Sequence, residues 1–257
     1  ADANLRLYSP AVPVDNIERE RARELGIKEI SYPELLGEIT KEYSTIAISG
    51  THGKSTTTAM IGLILEAGGY DPTVIVGSRV PSFKDGNLRL GKGRFLVVEA
   101  CEHEASMLHL HPEMIALTSI EEDHLDFYAD LDHIRKSFQG FVDKLKGKGS
   151  VIFNANDKTS LKLRIDRGVS YAFDGTADYN AKNRLIKDGV QQIEVFQNDK
   201  KVGQLSLEVP GAFNVANAMA ATAVALELGI PFKTISHTLE KFTGIWRRFE
   251  RIGTWHE

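Results

Sequence analysis

Residues 45–60 read TIAISGTHGKSTTTAM. A strand-like apolar run at 45–49 breaks into a turn with glycines at 50 and 53, and the chain leaves that turn as a helix. Such a corner suits a phosphate. Gly50 and Gly53 permit backbone angles and close approaches that a Cβ obstructs, so successive N–H groups can turn inward, and the helix start adds its positive end. The common phosphate loop is G-x-x-x-x-G-K-[ST], but Ile48 stands five positions before Gly53, leaving the shorter GTHGKS. In this reading Gly50, Thr51, His52, Gly53, Lys54, Ser55 and Thr56 form the phosphate cradle. Lys54 reaches the outer phosphates and Ser55 offers its hydroxyl to Mg²⁺. The alternative is a plain strand–turn–helix corner with Lys54 solvated and Ser55 a cap. The position between a strand and a helix favours the phosphate.

Working outward, strands are expected at 45–49, 73–76, 95–98, 114–118 and 150–153, with helices near 54–67, 104–110, 131–145 and 157–164. Short apolar strands alternating with helices predict an α/β fold: a phosphate-loop-containing, mostly parallel sheet flanked by helices. Residues 178–209 alternate apolar and polar, with turns at Asp188-Gly189 and Asn198-Asp199, and predict a small antiparallel meander on one edge. Two helices follow, near 214–228 and 231–241. Ahead of the sheet, NLRLYSPAVP reads as a strand and loop, and 15–26 as a charged helix capped by Asp15 or Asn16 and stopped at Gly26. Residues 1–43 hold too little apolar material for a core of their own and read as the close of a preceding domain. The sequence, ending FTGIWRRFERIGTWHE, reads as cut from something longer.

Composition bounds the rest. The 257 residues carry a formal charge of −4, which gives no support to a nucleic-acid-binding surface. Cys101 is the single cysteine, so no intrachain disulfide framework exists. No apolar run approaches the roughly 18 residues of a membrane span, and no signal-peptide pattern opens the sequence. These features predict a soluble, cytoplasmic protein.

Ligands in open α/β sheets gather beyond the carboxyl ends of the strands. Glu99 follows the strand at 95–98 directly and is either a metal carboxylate or a solvated strand end. Cys101 is expected as a small packed residue, and Glu102 and Glu104 to face solvent or start the next helix. His124 stands among Glu121, Glu122, Asp123 and Asp126 on the same rim. It is either an ion-pair partner or, when neutral, a metal ligand.

Five segments in order, GTHGKSTTTAM, VVEACEHEASMLHLHP, TSIEEDHLDFY, GAFNVANAMAA and FTGIWRRFE, resemble the motifs of the Mur ligase family. The set most resembles the branch that joins L-alanine to UDP-N-acetylmuramate, and the opening YSPAVPVDNIERERARELGI resembles the close of the family's UDP-binding domain. The likeness spans nearly the whole chain. It implies an ATP-dependent amide ligase of peptidoglycan synthesis: the γ-phosphate passes to a carboxylate, an amine attacks the acyl phosphate, and phosphate leaves. By the same resemblance Lys54 holds phosphates, Ser55 binds a first Mg²⁺, and Glu99 serves as the carboxylate metal ligand. His124 binds a second Mg²⁺, Asn214 and Asn217 meet the adenine side, and Arg248 approaches ribose or phosphate. Read without the family, Asn214 is a helix cap, Asn217 an exposed helix residue, and Arg247 and Arg248 surface charges.

Two residues depart from the family pattern. Ser119 stands where asparagine is usual, and Phe213 where histidine commonly precedes the adenine-side asparagine. The domain expectation is residues 1–43 as a remnant of the UDP-binding domain and 44–257 as the central ATP-binding domain, without the C-terminal ligase domain. Such a piece is expected to bind Mg–ATP without completing ligation. Alternatives are a muropeptide or folylpolyglutamate-type ligase of the same superfamily, a non-catalytic nucleotide-binding module, or a P-loop kinase or GTPase. The last lacks a guanine motif, since NDKK at 198–201 has the wrong order.

Overall fold

A computed structural model describes residues 3–145, 147–250 and 253. Most of the expected tail after Glu250 lies outside the described residues. In chain order the elements begin with β1 (Leu5–Tyr8), α1 (Ile17–Glu24), β2 (Lys28–Ser31), α2 (Tyr32–Thr40), β3 (Ser44–Ser49) and α3 (Lys54–Ala67). There follow β4 (Thr73–Ile75), β5 (Leu88–Arg89), β6 (Phe95–Glu99), β7 (Met114–Leu117), α4 (Leu131–Val142) and β8 (Ser150–Asn154). The series closes with β9 (Gly168–Phe173), β10 (Tyr179–Lys187), β11 (Val190–Gln197), β12 (Lys200–Leu207), α5 (Ala212–Glu227) and α6 (Phe232–Glu240).

Ten strands form one sheet in the order β12-β11-β10-β9-β8-β7-β3-β6-β4-β5. The block from β4 through β10 is parallel, with β5 antiparallel at one edge and β11 and β12 antiparallel at the other. Helices cover both faces, so each central strand feeds two cores. Ile46, Ile48, Phe95 and Val97 point into one core with α3, α5 and α6. Ala47, Leu96 and Val98 point into the other with Leu36 of α2 and Phe138 and Phe141 of α4. Burial on both faces is why these strands read as continuous apolar runs. Ile48 and Val98 are fully buried, and each such side chain contributes roughly 1.5–3 kcal/mol.

The chain visits β4 and β6 on one side of β3, then crosses to β7 on the other. That reversal opens a crevice at the carboxyl end of β3, where the GTHGKS turn lies.

Near the amino terminus, β1 and β2 form a separate two-stranded parallel sheet. Asn16 caps α1 through Glu18 N (3.1 Å), and Ser31 and Glu34 form a reciprocal capping box on α2. Sequence reading left α2 unassigned. Its Gly37 lies so close to the main body that a Cβ there would sit 2.5 Å from the His109 carbonyl oxygen.

Three local expectations need correction. Residues 104–110 are no α-helix: His103–His109 is 3-10 in character, with φ of 51° at Glu104 and 54° at Ala105. Residues 157–164 shrink to the 3-10 turn Ser160–Lys162. There Asp157 accepts from Thr159 N (3.1 Å), Ser160 N (3.1 Å) and Ile120 N (3.0 Å), so its carboxylate ties the segment to the β7 loop. The strand β9 was not expected; it carries the parallel sheet on to β10, so the meander continues the main sheet. The two hairpin turns fall where expected, with positive φ at Asp188, Gly189, Asn198 and Asp199.

Candidate active site

Gly50 (φ 137°) and Gly53 (φ 85°) hold the turn between β3 and α3. A Cβ at Gly50 would lie 2.1 Å from Thr118 Oγ1, and one at Gly53 would lie 2.2 Å from Asn217 Oδ1. Each glycine is therefore required by a neighbour as well as by backbone angle. The loop after β7 laces the turn in place. Thr51 N donates to Ser119 O (2.7 Å), Glu121 N to Thr51 Oγ1 (2.9 Å), and Thr118 Oγ1 to His52 O (2.5 Å). Ser119 Oγ accepts weakly from His52 N (3.4 Å), so the departure at 119 sits against the loop itself.

A cavity of about 300 Å³ opens over the start of α3. Residues 51–56 line one side and Glu99 another. Phe213, Asn214 and Asn217 of α5 and the turn Arg247–Phe249 complete the wall. Of the residues expected to bind nucleotide, Gly50 is outside this lining; its carbonyl instead accepts from Lys54 Nζ (2.6 Å). The remainder converge, although α5 and the Arg247–Phe249 turn lie far from the loop in sequence.

Asn214 and Asn217 are both buried. Gly211 is the cap of α5, while Asn214 Nδ2 donates to Pro210 O (2.7 Å) and Asn217 Nδ2 to Asn214 Oδ1 (3.2 Å). Neither the cap nor the exposed-residue reading of these asparagines holds. Phe213 and Phe249, both exposed, face each other at 5.4 Å between ring centroids. The 245–249 turn is fixed by Trp246 N donating to Arg79 O (2.9 Å) and Ser78 Oγ donating to Trp246 O (2.7 Å). Arg248 is exposed at the cavity edge.

The acidic rim differs from expectation. Glu102, expected to face solvent or start the next helix, is 2 % exposed. Lys54 Nζ donates to Glu102 Oε1 at 2.9 Å and lies as close to Oε2, which is buried and receives no hydrogen bond. His124 Nε2 stands 3.7 Å from Glu102 Oε1. Sequence reading missed this residue because its burial depends on a partner 48 positions away. Glu99 lines the cavity and accepts from Gly77 N (2.8 Å). His124 lies outside the cavity lining, behind the Lys54–Glu102 pair, with a left-handed backbone (φ 50°) whose carbonyl accepts from Phe127 N and Tyr128 N. Glu104 is exposed as expected.

Cys101, expected to be packed, is exposed. One side of it borders an apolar pocket of about 320 Å³ formed with Pro10, Tyr32 and Met107. Desolvation on that side raises the thiol pKa, opposed by a backbone hydrogen bond involving His103. No described helix is long and apolar enough to cross a membrane.

Together the site has a glycine-shaped anion cradle, an ammonium held by a buried carboxylate, further carboxylate and imidazole groups on the same rim, and a half-aromatic recess. These suit a Mg²⁺–nucleoside triphosphate. Comparison with known proteins agrees with that chemistry. The Mur ligase middle domain matches residues 48–225. A UDP-N-acetylmuramate--L-alanine ligase of Desulforamulus reducens is 39 % identical over 254 residues, covering 96 % of this chain and 54 % of the relative. The enzyme of the same name from Syntrophotalea carbinolica is 40 % identical over 252 residues, covering 97 % and 55 %. The crystal structure of UDP-N-acetylmuramate-alanine ligase MurC from Thermotoga maritima superposes with a TM-score of 0.89 at 30 % identity, covering all of this chain and 58 % of that one. The chain thus spans about half the length of the curated relatives it matches. With a family model spanning most of its residues, the chain belongs to the Mur ligase family.

Proposed function

We propose that this chain is the ATP-binding part of a cytoplasmic ligase that joins L-alanine to UDP-N-acetylmuramate in peptidoglycan precursor synthesis. Residues 44–257 serve as the central domain, and 1–43 as the end of a UDP-binding domain. The observation that carries the proposal is the cavity over α3, where the cradle, the Lys54–Glu102 pair and the α5 asparagines meet. The identity to ligases of that name supports the choice of acid and amine.

In this reading the loop N–H groups and the start of α3 receive the phosphates. Lys54 exchanges the Gly50 and Thr51 carbonyls for phosphate oxygens while Glu102 keeps its ammonium aimed. Asn214 and Asn217 orient the base, Phe213 and Phe249 flank it, and Arg248 meets ribose or phosphate. The residues also fit Mg²⁺ by donor chemistry: the Ser55 hydroxyl and the Glu99 carboxylate both line the cavity, and Glu102 and Asp123 stand beside His124 as further oxygen donors of the hard kind that Mg²⁺ takes. Ser55 and Glu99 would hold one ion, and His124 with Glu102 a second. When bound, Mg²⁺ would neutralise charge on the phosphates during transfer. The chain's own groups supply positioning and charge, and no side chain need act as a covalent nucleophile. A substrate carboxylate oxygen attacks the γ-phosphorus as ADP leaves, and the amine then displaces inorganic phosphate from the acyl phosphate.

Calorimetry with Mg–ATP tests the reading. The chain is expected to bind one equivalent and the Lys54→Ala variant to show no measurable binding. Equal affinity in the two proteins would refute it, as would binding of GTP in place of ATP.

A further inference from the structure

His124 has two neighbourhoods. On one side lie Glu102 and Asp123, a set of oxygen donors. On the other lie His103 and Asp126, and with His124 these offer two imidazole nitrogens and one carboxylate oxygen, all within 4.8 Å of one another. The His103 and His124 rings stand 4.5 Å apart at 55°, and His103 Nε2 is 3.7 Å from Asp126 Oδ2. The placement is built by backbone. Left-handed conformations at Glu104 and Ala105 follow His103 directly, another occurs at His124, and Ala105 N and Met107 N tie the turn back to Glu102 O and Cys101 O. Two residues 21 positions apart, neither in a common helix nor strand, thereby present their rings to each other.

We propose that His103, His124 and Asp126 form a site for a borderline divalent transition metal of the zinc or cobalt class. The donor set argues for it. Imidazole suits zinc, cobalt and nickel, whereas Mg²⁺ favours oxygen donors. Three protein ligands at a partly exposed position leave a place for water or another ligand, as in open zinc sites. The donors are near one another but not at coordination distance, so binding draws Asp126, the most exposed of the three, inward. Occupancy also holds the His124 ring on the His103 side, away from Glu102. That last consequence bears on phosphoryl transfer only if the ligase reading is right; the site itself does not depend on it.

The test is titration of the nucleotide-free chain with zinc chloride by calorimetry, and with cobalt chloride by visible absorption. One equivalent is expected to bind, with a cobalt d–d spectrum of low coordination number. His103→Ser and Asp126→Asn should each weaken zinc affinity about tenfold or more, whereas Glu102→Gln, which removes a charge 3.7 Å from His124 but no proposed ligand, should weaken it less than either. Circular dichroism checks each fold, and because the His103 and Asp126 side chains are both solvent-accessible, either variant alone can decide. Undiminished zinc binding in His103→Ser and Asp126→Asn would overturn the proposal. So would absence of binding at 1:1 stoichiometry in the parent chain, or an equal loss in Glu102→Gln, which would move the metal to the oxygen-rich side. Mg–ATP affinity measured on His103→Ser separates this outcome from failure of the ligase reading.

Discussion

Replacing Lys54 with Met removes the ammonium that lies 2.9 Å from Glu102 and keeps an unbranched side chain. The side chains are 13 % and 3 % exposed, so water cannot readily replace the lost partner. Severing a buried pair costs about 3–5 kcal/mol when the remaining charge stays uncompensated. Partial exposure of Lys54 and the His124 imidazole 3.7 Å away lower the figure. The expected loss is therefore about 2–3.5 kcal/mol. With an unfolding entropy of about 2.1 cal/mol/K per residue over the whole chain, this corresponds to a fall in Tm of roughly 4–7 °C.

The double variant Lys54→Met/Glu102→Gln removes both charges, and urea denaturation should return it to within about 1.5 kcal/mol of the parent. Mg–ATP binding should remain lost in both, because the phosphate contact is not restored. Stability and binding thus separate in one cycle. A Lys54→Met protein within about 0.5 kcal/mol of the parent, or a double variant less stable than either single one, would refute the account of Glu102 as a buried charge held by Lys54.

Gly53→Ala should lower stability by at least about 1 kcal/mol and abolish nucleotide binding, since alanine meets both a φ of 85° and Asn217 Oδ1; thermal melts and calorimetry check this. Ser31→Ala should cost about 1 kcal/mol by breaking the α2 capping box, measured in urea. The Ser31 side-chain and backbone hydrogen bonds hold the Glu34 pKa below its ordinary value. Its contribution is therefore complete above the ordinary glutamate range and lost as pH falls through the depressed value, a loss that Ser31→Ala should flatten in melts from pH 3 to 6 (about the span set by ordinary carboxylates). Cys101, its thiol pKa raised first by burial, should alkylate with iodoacetamide more slowly than free cysteine at pH 8 (roughly the ordinary thiol range), catching up only at higher pH.

What the sequence made legible was local or periodic. The phosphate corner could be read because β3, the glycine turn and the first turn of α3 are contiguous, and the chemistry of an anion cradle resides in that contiguity. Both hairpin turns could be read because positive φ at Asp188-Gly189 and Asn198-Asp199 is written in residue type. β9 was missed although its signals are present: Val169, Tyr171 and Phe173 alternate with smaller residues between Gly168 and the turn pair Asp174-Gly175, and the strand pairs in parallel with β8. The helix expected at 104–110 is a different case. Glu104 and Ala105 adopt left-handed angles that neither residue type favours, so tertiary structure imposes them.

That imposed turn also explains why Glu102 was misread. A regular helix from 104 would have left Glu102 as an ordinary solvent-facing residue at its start. Instead Met107 N returns to Cys101 O, Tyr128 Oη donates to the Glu102 carbonyl, and the Glu102 carboxylate is driven inward to Lys54. The local strain and the buried charge are thus one arrangement. The fold tolerates left-handed backbone at 104 and 105 because the carboxylate it delivers meets the loop lysine, and the same turn sets His103 against His124. The least regular stretch of the rim is the one that carries its charge, which is where reading by propensity is expected to fail.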